Sequence, residues 1–397
     1  MSRPAVSRAD RSDDGRRTLW NLAGGWRGAG IAIGILSLTR AVQLVMLLWL
    51  DAVAHEDTGL RGRLLVWDAG WFLRVATTGY PSGYTYAPNG QLDGNELAFF
   101  PLYPMLIRGV AALGLDAGTA AIAVSWLASA GAAIALHLLG TTLHDRRMGW
   151  ALVGICCSAP VSVVLSMAYS ESLFLALVAG MLVAAHRRVW WAAGLLGLGA
   201  ALTRPAGAAA AVALAVAAAI EVRSARSRPG GGTWEPIAAA AVALAGVPAY
   251  LAWVGWRVGD PGAWFKIQTA GWGTSFDYGT STAWFLARTL SSGDGWVQVS
   301  VALILLAALA AAGVALAQRP WPPLAVYGVL AMILVYGQAG FYHSKPRLLL
   351  PVLLTLLPAA TAAARARPKV AVLAIGAWAL FGLWYGAYLV VVWPYTL

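Results

Sequence analysis

The chain has 397 residues, of which 59% are hydrophobic and 11% are charged. Soluble domains carry about 25% charged residues, so this composition excludes an ordinary soluble protein and indicates a polytopic helical membrane protein. The formal charge of +11 does not indicate nucleic-acid binding, because the basic residues lie in short clusters between apolar runs rather than along one face.

The first 30 residues contain six arginines and are followed by an apolar run long enough to cross a bilayer. We therefore interpret residues 1–30 as a basic cytoplasmic tail rather than a cleaved signal peptide. Arg40 lies deep inside the first apolar run. A charge at that depth is costly, so we expect Arg40 to contact a polar partner or to reach the interface, and we assign it no catalytic role.

Apolar runs that match the thickness of a membrane recur along the rest of the chain. The connectors that carry basic clusters should be cytoplasmic, together with the N-terminus. We predict 11 transmembrane helices, at residues 31–53, 118–140, 148–168, 170–186, 189–203, 206–222, 235–257, 297–317, 321–340, 347–364 and 369–392.

Residues 99–114 are ambiguous, since they could form one more crossing. A crossing there would move the basic pair Arg146-Arg147 to the outer side, against the positive-inside rule. The segment is short, begins with two prolines and contains Arg108, which suits a helix lying at the membrane surface. We therefore predict one outer loop over residues 54–117 and a second outer loop over residues 258–296.

The predicted outer side holds two acids of the first loop, Asp68 and Glu96, and an acid at a later turn, Glu171. It also holds the cationic residues Arg204, His343, Lys345 and Arg347. Cations of this kind bind an anionic leaving group, most simply a phosphate, while a carboxylate deprotonates an incoming hydroxyl. The pattern indicates group transfer from a lipid-linked phosphate donor to a hydroxyl. Glu96 could instead cap a helix, and Arg204 and Arg347 could anchor their turns at the interface.

The run WDAGWFLRVATTGY at residues 67–80, followed by ELAFFPLYP at 96–104, resembles the first-loop signature of the PIG-V family of mannosyltransferases. The later segments YSESLF (169–174), TRPAG (203–207) and SKPRLLLP (344–351) resemble further signatures of that family, in the same order. The resemblance extends from about Arg40 to Arg367.

The resemblance implies a GT-C-type glycosyltransferase fold over residues 31–397, with the first outer loop carrying interfacial helices and the active site. It implies a polyprenyl-phosphate-mannose donor and inversion at the anomeric carbon. By similarity, Asp68 is the general base and Arg347 a ligand of the donor phosphate. The other site residues implied are Glu96 as a second catalytic acid, Lys345, Arg204 and His343 near the phosphate, and Glu171, Trp71 and Tyr103 at the substrate.

Many relatives carry His where this chain has Trp71, so we assign no proton transfer to that position. The acids occur singly, without the spacing of a metal site, and we expect no cofactor or metal. The expected partners are the donor, a lipid, glycan or protein acceptor, and membrane lipids. The Arg-rich and Ala-rich composition suggests the plasma membrane of a GC-rich bacterium. The alternative function is a transporter or flippase for a lipid-linked substrate, although such proteins usually place ionisable residues at the membrane midplane.

Overall fold

The computed structural model describes residues 21–55, 58–226, 233–292 and 295–396. The first 20 residues of the predicted tail, and Arg228 in one basic connector, lie outside the described residues. Within the described ranges the chain forms α-helices joined by short turns and one antiparallel β-ribbon, so the all-α prediction is confirmed.

The first loop and the helices around it occupy the N-terminal half of the chain. In chain order the elements are α1 (Gly25–Val53), α2 (Gly59–Leu64), α3 (Asp68–Thr78), β1 (Thr85–Tyr86), β2 (Leu92–Asp93), α4 (Leu102–Ala111), α5 (Ala117–Leu143), α6 (Arg146–Cys157), α7 (Glu171–His186), α8 (Trp190–Ala201) and α9 (Gly207–Arg226). Short 3-10 turns lie at Glu96–Ala98 and Ser162–Leu165.

The C-terminal half begins with a long helix and then forms the second loop. Its helices are α10 (Trp234–Val258), α11 (Ala263–Trp272), α12 (Thr280–Ser292), α13 (Trp296–Ala317), α14 (Pro322–Gly337), α15 (Lys345–Leu349), α16 (Leu357–Arg365) and α17 (Pro368–Val391). Two further 3-10 turns lie at Tyr342–Ser344 and Leu353–Thr355.

Six helices of the described chain are long and apolar enough to cross a membrane, namely α1, α5, α9, α10, α13 and α17. A seventh crossing is possible if the segments Tyr342–Leu349 and Leu353–Arg365, which meet at 81°, form one broken span. The apolar helices α7, α8 and α14 have only 16, 12 and 16 residues. The multi-pass architecture is therefore confirmed, whereas the predicted count of 11 crossings is not.

The predicted continuous span over residues 148–168 is interrupted in the structure. Helix α6 ends at Cys157, and helical geometry resumes as a short 3-10 turn at Ser162–Leu165 before α7 begins at Glu171. Pro160 lies in the interruption, and a proline has no N–H to donate to the preceding turn of a helix. Residues 158–170 are nevertheless buried, so their backbone groups need partners other than water.

Residues 99–114 contain α4, a helix of ten residues. Its length of about 15 Å is roughly half of the hydrocarbon core of a bilayer, so α4 is too short to cross on its own. The Leu102 amide donates to the Leu202 carbonyl at 2.9 Å, which attaches the start of α4 to the end of α8.

Candidate active site

A cavity of about 250 Å³ lies where the first loop meets the helical body. It is bounded by the start of α3, the start of α7, the turn between α8 and α9, helix α11 and the segment from α14 to α15. Its charged lining residues are Asp68, Glu171, Arg204, Lys345 and Arg347. All five were predicted from the sequence as site residues, and the structure brings them together from four separate parts of the chain.

Four of these side chains form one chain of ion pairs. Arg347 Nη2 lies 2.6 Å from Asp68 Oδ2, and Arg347 Nε lies 3.7 Å from Glu171 Oε1. Arg204 Nη1 lies 2.5 Å from the same Glu171 oxygen. The side chain of Glu171 is 2% exposed, so its charge depends on both arginines. Arg347 is therefore the residue that joins the two carboxylates.

Both carboxylates begin a helix. Asp68 is the first residue of α3 and Glu171 the first residue of α7. The free N–H groups at the start of a helix stabilise negative charge, so both positions favour the ionised acid. Asp68 follows Trp67, whose φ of 56° is unusual for a bulky side chain. This turn aims the Asp68 carboxylate into the cavity.

The Tyr169 hydroxyl forms hydrogen bonds to the residues before and after Trp67, where the backbone conformation is unusual. The hydroxyl donates to the Val66 carbonyl at 3.4 Å and accepts from the Asp68 amide at 3.4 Å. The guanidinium of Arg347 lies over the Tyr169 ring, 5.2 Å from the ring centre. The tyrosine therefore contacts both members of the Asp68–Arg347 ion pair, although the sequence analysis gave it no role.

Arg347, which lines the cavity, keeps an unused donor. Its Nη1 atom is buried and has no hydrogen-bond partner among the described residues. Leaving a charged donor unsatisfied is costly, and a guanidinium can use its two terminal nitrogens for two different acceptors. With three cationic and two anionic side chains, the lining also has one formal positive charge in excess. The unused donor favours a ligand that accepts hydrogen bonds, and the charge excess equals the charge of a singly charged anion.

Lys345 lines the cavity but its ammonium group is engaged by the protein. Nζ donates to the Val335 carbonyl at 2.8 Å and to the Gln338 carbonyl at 2.6 Å. These carbonyls belong to the end of α14 and the residue that follows it, where helix carbonyls lack intrahelical partners. Lys345 therefore closes the end of α14, and a direct phosphate contact by this residue remains a prediction.

Two predicted site residues lie outside the cavity lining. Glu96 pairs with Arg74, with 2.7 Å between Oε1 and Nε. His343 Nε2 lies 3.3 Å from Thr396 Oγ1, and its ring stacks on the ring of Phe341. Each side chain instead contacts a partner outside the cavity lining.

Trp71 and Tyr103, the aromatic residues predicted to bind substrate, are also absent from the cavity lining. Trp71 stacks on Phe99, with ring centres 5.7 Å apart, and the Arg74 guanidinium lies 3.9 Å from the Trp71 ring centre. The Tyr103 hydroxyl lies 2.7 Å from Ser125 Oγ in the interior. Trp71 supports Phe99, which lines the cavity, while Tyr103 belongs to the core.

The sequence analysis did not include the wall formed by the second loop. Helix α11 contributes Trp264, Gln268 and Trp272 to the lining. It approaches the first loop at two glycines: a Cβ on Gly94 would lie 2.6 Å from the Gly271 Cα. Only glycines permit this backbone contact. In the sequence, the tryptophans of α11 would have been weak evidence for a site, because interfacial helices commonly contain tryptophan.

Hydrogen bonds at Asp260 join the first loop to the second loop. The Tyr84 hydroxyl donates to Asp260 Oδ2 at 2.5 Å, and Lys266 Nζ lies 2.6 Å from the same oxygen. These contacts, led by the Lys266 ammonium, hold the pKa of Asp260 at about 2. The carboxylate therefore stays charged at any physiological pH, and the connection between the loops persists.

The described part of the chain contains no group of three or more His, Cys, Asp or Glu side chains that could hold a metal ion. The charged donors at the cavity are guanidinium and ammonium groups.

Residues 50–215 match the family model described as "Mannosyltransferase (PIG-V)", which confirms the resemblance to that family over this part of the chain. Mouse GPI alpha-1,6-mannosyltransferase 2 is 36% identical over 149 residues, which are 35% of this chain and 28% of the mouse protein. GPI mannosyltransferase 2 of Drosophila pseudoobscura pseudoobscura is 33% identical over 138 residues, or 32% of this chain and 27% of the fly protein. The matched region thus spans less than a third of each of these relatives.

Among solved structures, the oligosaccharyltransferase of Archaeoglobus fulgidus superposes with a TM-score of 0.44 and 14% identity. The superposition covers 81% of this chain and 48% of that protein. Three of the four members of the ion-pair chain, Asp68, Glu171 and Arg204, lie inside the region that matches the family.

Proposed function

We propose that this chain, whose residues 50–215 match the PIG-V mannosyltransferases, transfers mannose from a polyprenyl-phosphate-mannose donor to a hydroxyl group. The acceptor is a lipid, glycan or protein on the exoplasmic side of the membrane, and the anomeric centre is inverted. The observation that carries the proposal is the position of Arg347 between Asp68 and Glu171, with a buried donor still unused.

The charges at the cavity suit such a donor. A sugar linked to a lipid through one phosphate is a phosphodiester with one negative charge, which equals the positive excess of the lining. Arg347 Nη1 is the donor that we assign to a phosphate oxygen. Arg204 compensates Glu171, which leaves the Arg347 guanidinium shared between Asp68 and the phosphate.

Asp68 is the group that we assign to the acceptor hydroxyl. The hydroxyl oxygen attacks the anomeric carbon, the bond from that carbon to the phosphate oxygen breaks, and its electron pair leaves with the phosphate. The hydroxyl proton passes to the Asp68 carboxylate. The phosphate gains one negative charge as Asp68 loses one, so the cavity with its ligands stays neutral throughout the step.

An apolar cavity supports a lipid-linked donor. This cavity of about 810 Å³ is lined by parts of α13, α16 and α17 and includes Pro346, Leu349 and Leu350. Along α15, Lys345 and Arg347 line the candidate active site, while Pro346 and Leu349 line the apolar cavity. One short helix thus separates a charged cavity from a hydrocarbon-like one, as a phosphate joined to a long hydrocarbon chain requires.

The proposal is tested with the purified full-length chain in liposomes, supplied with radiolabelled polyprenyl-phosphate mannose and membrane extract as the acceptor source. We expect label to move from the donor lipid into a new product, with free polyprenyl phosphate formed in equal amount. Polyprenyl-phosphate glucose serves as the control donor. Absence of any transfer, with intact donor recovered, would overturn the proposed activity.

A transporter remains the second candidate, because the unwound residues 158–170 and the bend between α15 and α16 are features that transporters share. The same liposomes distinguish the two functions. A flippase would move fluorescent donor between leaflets without releasing polyprenyl phosphate, whereas an enzyme would release it.

A further inference from the structure

Residues 158–170 have unwound, buried backbone between α6 and α7. Apart from the 3-10 turn Ser162–Leu165, these residues do not form the regular hydrogen bonds of a helix. In the interior of a membrane protein, each carbonyl left without a donor costs several kcal/mol. This segment therefore depends on side chains from neighbouring helices.

Arg40, in α1, supplies several donors to this segment and to the end of α6. Nη1 donates to the Ser162 carbonyl at 2.5 Å and to Ser166 Oγ at 3.2 Å. Nη2 donates to the Cys157 carbonyl and, at 3.1 Å, to Ser162 Oγ. Arg40 is 3% exposed, and within the described part of the chain its partners are these carbonyl and hydroxyl oxygens and no carboxylate. One guanidinium thus joins the last residue of α6 to both ends of the following turn.

Helix α5 holds the same segment from another direction. Trp126 Nε1 donates to the Ser166 carbonyl at 3.0 Å, and Ser129 Oγ donates to the Leu165 carbonyl at 2.8 Å. With Arg40, these side chains satisfy carbonyls that a continuous helix would have satisfied itself. The path of residues 158–166 is therefore set by α1 and α5.

Residues 158–166 are followed directly by residues of the candidate active site. Only two residues separate Ser166, which Arg40 contacts, from Tyr169, which holds the turn before Asp68. Glu171 follows two residues later and pairs with Arg347. The Ala168 amide also donates to the Leu64 carbonyl at 2.9 Å, which fixes the segment against the first loop.

We propose that Arg40 is a positioning residue of the site, which acts through the unwound segment to set where Tyr169 and Glu171 stand relative to Asp68. This inference rests on the proposed function for its kinetic consequence, whereas its structural consequence does not depend on catalysis. Misplacement by about 1 Å can cost about 100-fold in rate, so a small shift of Tyr169 would be measurable.

The substitution Arg40→Lys tests the proposal, because it keeps the charge but replaces a planar fork by a single ammonium group that cannot reach both Cys157 and Ser166. The control is Arg146→Lys, at the first residue of α6, the helix whose last residue is Cys157. Arg146 also donates to two backbone carbonyls, those of Asn21 and Leu22, but it is exposed and does not line the cavity.

Two measurements are made on each protein. The first is the ¹⁹F chemical shift of 3-fluorotyrosine incorporated at residue 169, in wild type, Arg40→Lys and Arg146→Lys. We expect the signal to move in Arg40→Lys and to stay at the wild-type position in Arg146→Lys. The second is transfer kinetics, in which we expect kcat to fall about 10- to 100-fold in Arg40→Lys while the KM for the donor changes less than about threefold.

An unchanged fluorine signal in Arg40→Lys would overturn the proposal, whatever the activity. If wild type transfers no sugar from any donor, the proposed function fails but the fluorine measurement still decides the role of Arg40. Should Arg40→Lys not fold, the double variant Ser162→Ala/Ser166→Ala removes the two hydroxyl acceptors and keeps Arg40. The same fluorine shift is expected there, and its absence would likewise overturn the proposal.

Discussion

The guanidinium of Arg347 lies 2.6 Å from the carboxylate of Asp68, the group proposed to accept the proton of the sugar acceptor. It uses Nη2 for this contact and leaves Nη1 without a partner among the described residues. One planar group can therefore hold the base and the donor phosphate at the same time. The distance between the base and the leaving group would then depend on the rigid geometry of one side chain.

Asp68→Asn should reduce mannose transfer by about 10²- to 10⁴-fold, because an amide cannot accept the hydroxyl proton. The measurement is turnover at saturating donor in liposomes. Asp116→Asn is the matched control, since Asp116 also stands at a helix start and pairs with an arginine, Arg61, but does not line the cavity. Near-normal turnover in Asp68→Asn would exclude Asp68 as the base.

Arg347→Lys should raise the KM for the donor by about 10- to 100-fold, the loss expected when a hydrogen bond to a charged group is removed. Lysine keeps a positive charge near Asp68 and Glu171, which limits the loss of stability. Arg61→Lys, at an exposed ion pair, serves as the control. An unaltered KM for the donor would rule out a phosphate contact by Arg347.

Glu96→Gln should have a small effect, because Glu96 lies outside the cavity lining and Arg74, its partner, is about half exposed. Ion pairs at such positions contribute about 0–1 kcal/mol to stability. We expect transfer to fall less than about fivefold, measured in parallel with Asp68→Asn. A loss equal to that of Asp68→Asn would restore Glu96 as a catalytic acid.

Lys345→Met should lower the melting temperature of the detergent-solubilised protein more than it changes donor binding. Its two hydrogen bonds to backbone carbonyls contribute about 1.5–3 kcal/mol each, since the donor is charged. Lys369→Met removes an exposed lysine outside both loops and is the control for stability. A large rise in the KM for the donor with an unchanged melting temperature would show that Lys345 binds phosphate instead.

Ala311→Trp should select against long donors, because Ala311 lines the apolar cavity and an indole would fill part of it. We expect the KM for a long polyprenyl donor to rise at least about tenfold, the cost of losing burial of a few CH₂ groups. A ten-carbon donor, which we expect to occupy only the part of the cavity next to Pro346 and Leu349, should be used as well as by wild type. Ala310→Trp, exposed on the same helix outside the cavity, is the control. Equal effects on both donors would show that the lipid chain lies elsewhere.

Much of the site could be predicted from the sequence because charged residues are rare in this chain. In an apolar body, an acid or a base is stable only with a partner or at the surface, so the few such residues near one membrane face are expected to meet. Asp68, Glu171, Arg204 and Arg347 do meet, in one chain of ion pairs. Hydrophobicity, too, is a local property, and it was sufficient to predict the all-α membrane architecture.

Other features were decided by tertiary structure alone. Continuous apolarity over residues 148–168 suggests one helix, yet Arg40 and the side chains of α5 make an unwound path stable there. Glu96 and His343 have the chemistry of site residues, but Arg74 and Thr396 hold them elsewhere. The composition of a segment determines whether it prefers lipid or water. Which way a polar side chain points depends on partners distant in sequence, and only the folded chain brings those partners together.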